Sequence, residues 1–182
     1  MSNMWIRATS LGEAMAMLLI CAASSGHNRK LAERLAAMAN ELDLENRVLD
    51  LTETNLPMYT PEREAAGRPD ELDSVEEAFR TATAIMMVAP EYNGSMPPVL
   101  NNALAWLSVC ADDFRELFTL KPIGLATHSG GGGQKVLVAM RLQLAHLGAT
   151  VLGRELLTTT SKPLNENSAR AVLAELGVLR RR

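Results

Sequence analysis

Five short, largely apolar runs recur along the chain, and segments with helical spacing or turn signals separate them. The clearest run, Thr83–Ala89, has no polar residues alternating with apolar ones, which is typical of a parallel strand covered on both faces. The other predicted strands are Met15–Ala22, Arg47–Leu51, Pro122–Thr127 and Thr150–Leu157. Because strands that alternate with helices are joined by right-handed crossovers, the pattern predicts a doubly wound α/β fold with one parallel sheet.

Helical patterns occupy most of the segments between these strands. In the first of them, Leu31, Leu35 and Met38 lie at three- and four-residue spacing. The predicted helices are Arg29–Leu42, Pro69–Ala82, Pro98–Cys110, Lys135–Leu147 and Leu164–Leu179, with Asn165 as the cap of the last and a further short helix from Asp112 to Phe118. Residues 52–68 are rich in proline and are predicted to have no regular structure.

Length and composition limit the class of protein. The 182 residues fit one domain, which we assign to residues 15–182. For residues 1–14 two alternatives stay open: a disordered N-terminal extension, or a misplaced start upstream of Met15 or Met17. A hydrophobic content of 47% and a charged content of 21% are typical of soluble globular proteins. The net charge of −3 argues against a nucleic-acid partner. No apolar run reaches the length of a membrane span, so no membrane partner is predicted.

The cysteines indicate the compartment. Cys21 and Cys110 both lie in apolar runs and form no disulfide framework, which favours a reducing, cytoplasmic location. The run Ala14–Ala23 has the length of a signal-peptide core, but Glu13 adjoins it. Its removal would delete the first predicted strand, so we interpret it as a strand. No metal site is predicted, because the methionine-rich stretches are typical of core packing.

One loop carries the most specific signal. Pro90 ends the third predicted strand, Asn93-Gly94 is the strongest turn signal in the chain, and Pro98 suits the first turn of a helix. A polar loop at the carboxyl end of a central parallel strand is where open α/β sheets bind ligands.

The residues of this loop also resemble a known family. The sequence Pro90-Glu91-Tyr92-Asn93-Gly94-Ser95, followed by Pro98, Leu100, Asn102 and Trp106, is similar to the signature of the NAD(P)H-dependent FMN reductases. The resemblance extends from about Met17 to the C-terminus. It implies a flavodoxin-like, three-layer sandwich with five strands in the order 2-1-3-4-5, bound FMN, and NADPH or NADH as co-substrate. It also implies a homodimer or homotetramer.

The loop after the first strand is a candidate phosphate site. It leads into a helix N-terminus, where free N–H groups and the helix dipole favour an anion. Ser24, Ser25 and Asn28 offer neutral donors and Arg29 offers a charge. The alternative, favoured on this loop alone, is that the serine and asparagine side chains only cap the helix and that Arg29 points to solvent.

The loop after the third strand is expected to present its backbone to the edge of the flavin ring. The resemblance places Pro90, Glu91, Tyr92, Asn93 and Gly94 at the cofactor. The alternative is a simple turn in which Asn93-Gly94 supplies positive φ angles and Glu91 is an exposed charge or an interface residue.

The loop after the fourth strand contains four consecutive glycines, and it matches neither a Walker A nor a GxGxxG motif. So many glycines are expected where the backbone must approach a ligand closely. The resemblance places His128, Ser129, Gly130 and Gly131 around the flavin. We expect His128 to be a neutral wall of the pocket, because flavin hydride transfer needs no protein base.

The predicted function is therefore a ping-pong transfer of hydride from NAD(P)H through FMN to a flavin, a quinone or another small electron acceptor. The cofactor carries the chemistry, and no indispensable catalytic side chain is predicted. Two alternatives stay open at this point. One is a flavodoxin-type FMN electron carrier without NAD(P)H activity, and the other is a flavin-free domain that binds a different phosphate ligand.

Overall fold

The computed structural model describes residues 17–179. The extension predicted for residues 1–14 and the first two residues of the first predicted strand lie outside the described residues. The strands are β1 (Met17–Ala22), β2 (Asn46–Asp50), β3 (Ala82–Val88), β4 (Pro122–His128) and β5 (Thr150–Thr158). They form one parallel sheet in the order β2-β1-β3-β4-β5, which confirms the predicted fold class and strand order.

Helices cover both faces of this sheet. They are α1 (His27–Asn40), α2 (Pro61–Ala66), α3 (Glu71–Thr81), α4 (Pro98–Leu107), α5 (Gln134–His146) and α6 (Glu166–Leu179). In β1, Leu18 and Ile20 pack with α1 and α6, whereas Leu19 and Cys21 pack with α3, α4 and α5. Because successive side chains of a strand point to opposite faces, this double burial explains why the strand has no polar alternation.

Two local predictions are wrong. The proline-rich segment contains the short helix α2, whose N-cap Thr60 accepts a hydrogen bond from the backbone N–H of Arg63. Pro61 begins this helix at a position where its missing N–H is not needed. The predicted helix from Asp112 to Phe118 is instead a series of turns, because the carboxylate of Asp113 accepts the N–H of Arg115.

The remaining differences are shifts of helix boundaries. Helix α1 begins two residues earlier than predicted, and α4 ends at Leu107 instead of Cys110. The predicted cap of the last helix is confirmed, because Asn165 Oδ1 accepts the N–H of Ser168 at 2.9 Å. None of the described helices combines the length and the apolar character needed to cross a bilayer.

Candidate functional site

The carboxyl ends of the parallel strands enclose a cavity of about 290 Å³. It is lined by residues from the loops after β1, β2 and β3 and from the first turn of α4: Ala23, Ser24, Ser25, Thr52, Tyr92, Pro97, Pro98 and Val99. Pockets that bind small ligands begin at about 300 Å³, so the volume of this cavity lies at the lower limit for a ligand site.

The β1–α1 loop presents an uncapped helix end to this cavity. The N-cap of α1 is Gly26, and no side chain caps the helix. The Ser24 hydroxyl accepts the N–H of Gly26 at 3.3 Å, which closes a turn before the helix starts. The first N–H groups of an α-helix have no partner within the helix, so those of α1 can bind an anion. Ser24 and Ser25 both line the cavity at this point.

Asn28 holds two loops together. Its side chain is buried and donates from Nδ2 to the His128 carbonyl at 2.9 Å. Its Oδ1 accepts the His128 N–H at 2.7 Å. Asn28 therefore fixes the start of α1 to the end of β4, a role that differs from the predicted phosphate donor and from the predicted helix cap.

Arg29 is held by carboxylates and does not point freely to solvent. Its guanidinium contacts Asp50 at 2.6 Å, Glu33 at 2.9 Å and Glu53 at 3.2 Å. Burial on its own raises the pKa of Asp50, but hydrogen bonds from Thr52 and Arg29 outweigh it, and the pKa is lowered. Because three carboxylates surround one guanidinium, Arg29 brings no net positive charge to the loop, and an anion there depends on neutral donors.

In the β3–α4 loop, a two-residue turn is built by Asn93 and Gly94, with φ angles of 51° and 73°. Tyr92 and Ser95 flank the turn and exchange backbone hydrogen bonds of 3.0 and 2.9 Å. The predicted turn and the positive φ angles of Asn93 and Gly94 are thus confirmed, and their place at a cofactor stays a prediction. Tyr92 is half exposed and lines the cavity, so its ring is available to a ligand.

Glu91 faces the next loop. Its Oε2 accepts the backbone N–H of Val136, in the first turn of α5, at 3.4 Å. A carboxylate at a helix N-terminus is stabilised by the dipole and by the free N–H groups. Glu91 therefore caps α5, a contact that neither sequence interpretation of this residue included.

The β4–α5 loop has glycines of two kinds. Gly133 has a φ of 78°, and a Cβ there would lie 3.1 Å from both Ser129 and Thr127, so the fold itself requires this glycine. Gly130 and Gly131 do not have positive φ angles, and a Cβ at either would meet nothing within 4 Å. Their missing side chains leave open space beside the loop, as expected where a ligand approaches the backbone.

Two histidines join this loop to the first one. The rings of His27 and His128 stack with centroids 4.6 Å apart. Thr158 Oγ1 donates to the carbonyl of Thr127, so its contact of 3.1 Å with His128 Nδ1 requires that Nδ1 carry the proton. Burial, and after it the charge of His27, lowers the pKa of His128, which favours the neutral ring at neutral pH.

The three predicted loops therefore meet at one edge of the sheet, through Asn28 and His128 and through Glu91 and Val136. Residues 15–162 match the family described as NADPH-dependent FMN reductase. The chain belongs to this family. The resemblance seen in the PEYNGS loop is thus confirmed.

Proteins with similar sequences include two reductases. A quinone reductase of Escherichia coli K12 is 32% identical over 103 residues, which cover 55% of this chain and 53% of the relative. An NAD(P)H-dependent FMN reductase of Pseudomonas aeruginosa is 33% identical over 78 residues, 43% of this chain and 40% of the relative. The chain thus spans about half the length of the curated relatives it matches.

Solved structures share the fold. A flavoenzyme NAD(P)H:(acceptor) oxidoreductase from Paracoccus denitrificans superposes with a TM-score of 0.70 and 19% identity, over 92% of this chain and 96% of the other. An azoreductase from Bacillus anthracis superposes with a TM-score of 0.57 and 18% identity, over 92% and 100%. At such identities the likeness shows the flavodoxin-like fold alone.

Sequence reasoning missed several residues of the site in this FMN reductase family member. Thr52, Pro97 and Val99 line the cavity, although none was singled out from the sequence. Asn102, which belongs to the signature quoted from the sequence, lies outside the cavity lining and contacts the segment after β2. Among residues 17–179 there is no group of three or more His, Cys, Asp or Glu side chains that could hold a metal.

Proposed function

We propose that the protein is an FMN-dependent oxidoreductase that oxidises NADPH or NADH and reduces a flavin, a quinone or another small electron acceptor. The observation that carries this proposal is the cavity at the carboxyl ends of the strands, where the uncapped N-terminus of α1, the hydroxyls of Ser24 and Ser25 and the ring of Tyr92 come together. The family match and the relatives named as quinone reductase and FMN reductase support it.

The residues at the cavity fit FMN by their chemistry. The uncapped N-terminus of α1 and the hydroxyls of Ser24 and Ser25 would hold the phosphate with neutral donors. Tyr92, which lines the cavity, and the backbone at Gly130 and Gly131, which lies outside the cavity lining, would border the ring system. FMN, when bound, supplies the hydride chemistry, because its ring accepts two electrons from a nicotinamide and returns them to a second substrate.

The protein's own part is to bind and orient. Backbone N–H groups beside the ring would stabilise negative charge without a change of geometry. The neutral ring of His128 would form a wall of the site. Its Nδ1 carries the proton and donates it in a hydrogen bond to Thr158 Oγ1. No side chain at the cavity is assigned the transfer of a proton.

We infer that the protein works as a homodimer or homotetramer. Val138 and Leu142, on successive turns of α5, are 64% and 74% exposed. Helix α4 covers the same face of the sheet and contains no charged residue from Pro98 to Leu107. Exposed apolar side chains beside an uncharged helix support a contact between copies of the chain.

The two free cysteines support a cytoplasmic location.

The decisive experiment is the absorbance spectrum of the purified protein with FMN, followed by NADPH under nitrogen. A flavin band that bleaches supports the reductase. A band that persists would indicate an electron carrier, and a protein that takes up no FMN would contradict the proposal.

The variant Gly131→Val tests the assignment of the site. We expect the dissociation constant of FMN to rise at least about tenfold, because the side chain fills the space reserved for the ring. Stability should stay within about 0.5 kcal/mol, since the position is open and has no positive φ. Gly153→Val in β5 is the matched control, because a Cβ there also meets nothing within 4 Å. Equal FMN affinity in both variants would contradict the assignment.

A further inference from the structure

The segment 52–59, which leads from β2 toward α2, borders the site without a backbone framework of its own. In the described part of the chain, no backbone–backbone hydrogen bond involves residues 55–59. Leu56 packs against the core, whereas Met58 is 62% exposed. A segment with so few internal bonds is expected to open easily unless other groups hold it.

Asn102, in the second turn of α4, supplies most of the missing bonds. Its Nδ2 donates to the carbonyls of Leu56 at 3.3 Å and Pro57 at 3.0 Å. Its Oδ1 accepts the N–H of Tyr59 at 2.7 Å. One amide thus contacts three backbone groups within four residues, and both of its donor hydrogens and its acceptor are used.

Trp106 adds a second point of attachment one turn later. Its Nε1 donates to the Pro57 carbonyl at 2.8 Å, so this carbonyl receives bonds from both side chains. The indole also meets the ring of Tyr59 edge to face, with centroids 5.2 Å apart. Residues i and i+4 lie on one side of a helix, which lets the two side chains act on the same segment.

The start of the segment is anchored at the cavity. Thr52 lines the cavity, and Asp50 Oδ1 accepts both its N–H at 2.8 Å and its hydroxyl at 2.7 Å. Helix α4 also lines the cavity, through Pro98 and Val99 in its first turn. The segment is therefore fixed at one end by β2 and at the other by α4, and of its residues Thr52 lines the cavity.

We propose that Asn102 and Trp106 are positioning residues: they hold residues 56–59, and through them the segment that contributes Thr52 to the cavity, and thereby set the affinity for the electron acceptor. The inference rests on the proposed function. Neither side chain lines the cavity, so each acts through the segment that it holds.

The first test measures the segment directly. In Asn102→Ala we expect chymotrypsin to cleave after Tyr59 at least about fivefold faster than in the wild type, because cleavage follows local opening. Asn101→Ala is the matched control: this exposed residue projects about 100° away around the helix and makes no side-chain hydrogen bond to the segment. The control is expected to be cleaved at the wild-type rate.

The second test measures the site in the FMN-loaded protein with a soluble benzoquinone. We expect the KM for the quinone to rise about fivefold to tenfold in Asn102→Ala, while kcat and the FMN dissociation constant stay within about twofold. Trp106→Phe keeps an aromatic ring and removes the N–H, so it should change KM in the same direction. In the double variant, the rise in log KM should be smaller than the sum of the rises in the two single variants, because both side chains act on one segment.

Unchanged cleavage in both single variants would overturn the proposal, and so would faster cleavage with an unchanged KM. The cleavage test needs no cofactor. If the wild type takes up no FMN, the proposed function fails. The role of Asn102 in holding the segment is tested separately, and it fails if Asn102→Ala is cleaved no faster than the wild type.

Discussion

Lys121 is a partly buried lysine whose ammonium group contacts the C-terminal end of helix α3. Its ammonium group donates to the carbonyl of Phe79, near the C-terminus of α3. Burial, and after it the charge of Arg80, lowers the pKa of Lys121 from 10.5 to about 8. A helix C-terminus attracts a cation, so this bond offsets part of the cost of burying the amine.

The lowered pKa of Lys121 predicts a pH dependence of stability. Between about pH 8 and 10.5 the unfolded chain binds more protons at this group than the folded chain, so its contribution to the free energy of unfolding rises with pH. Relative to Lys121→Met, the wild type should gain about 1–3 kcal/mol from pH 7.5 to 10. Urea unfolding at a series of pH values measures the difference.

The comparison between variants is needed because the thiols act in the opposite direction. Burial raises the pKa of Cys21 and of Cys110, so the folded chain retains their protons at high pH and loses stability there. Both thiols are present in both variants, and their effect cancels. The exposed Lys30, changed to Met, serves as the control, and a difference between wild type and Lys121→Met that does not change with pH would refute the assignment.

At the scale of elements, the site is assembled by side chains that join the end of one strand to the start of a helix elsewhere. Asn28 of α1 contacts both backbone groups of His128 in β4, and Glu91 after β3 contacts Val136 in α5. Each contact satisfies backbone groups that the regular structure leaves unpaired. The loops around the cavity are therefore fixed to one another before any ligand binds.

Replacing Asn28 by Ala should test this connection. The change removes both hydrogen bonds to His128 and leaves two partly buried backbone groups without these partners, so it should lower the free energy of unfolding by about 1–2 kcal/mol. The shift of the urea midpoint measures the loss. Asn101→Ala, an exposed asparagine in α4, is the control and should change stability by less than about 0.5 kcal/mol. A similarly small loss in Asn28→Ala would show that the two loops are held by other contacts.

At the scale of the whole molecule, helix α5 presents apolar side chains to solvent. Val138 and Leu142 lie one turn apart on this helix and expose most of their apolar surface. Adjacent exposed apolar side chains support a contact between copies of the chain through α5.

A single charge should disrupt that contact. Leu142→Glu places a carboxylate in the apolar surface, and we expect the mass measured by light scattering to fall to that of a monomer at micromolar concentration. Val178→Glu is the matched control, because this residue is also exposed but lies on α6, at the opposite face of the sheet. The inference fails if the wild type is itself monomeric, or if Leu142→Glu keeps the wild-type mass.

The sequence alone determined the sheet, its family and the edge where the site lies. Apolar runs and helical spacing reflect the burial of each element, which is a local property, and the PEYNGS loop is contiguous. The errors arose where local signals compete. The carboxylate of Asp113 closes a turn and does not cap a helix, and the prolines of segment 52–68 did not prevent α2 from forming at Pro61.

Only the tertiary structure decided which polar side chains face the cavity and which hold the loops. Asn28 and His128 are 100 positions apart, and Asn102 reaches a segment 43 to 46 residues away. A polar side chain near the start of a helix can bind a ligand, cap the helix or contact another side chain, and the sequence does not distinguish these roles. The choice depends on which groups the folded chain brings within about 3 Å, a distance that no pattern along the sequence contains.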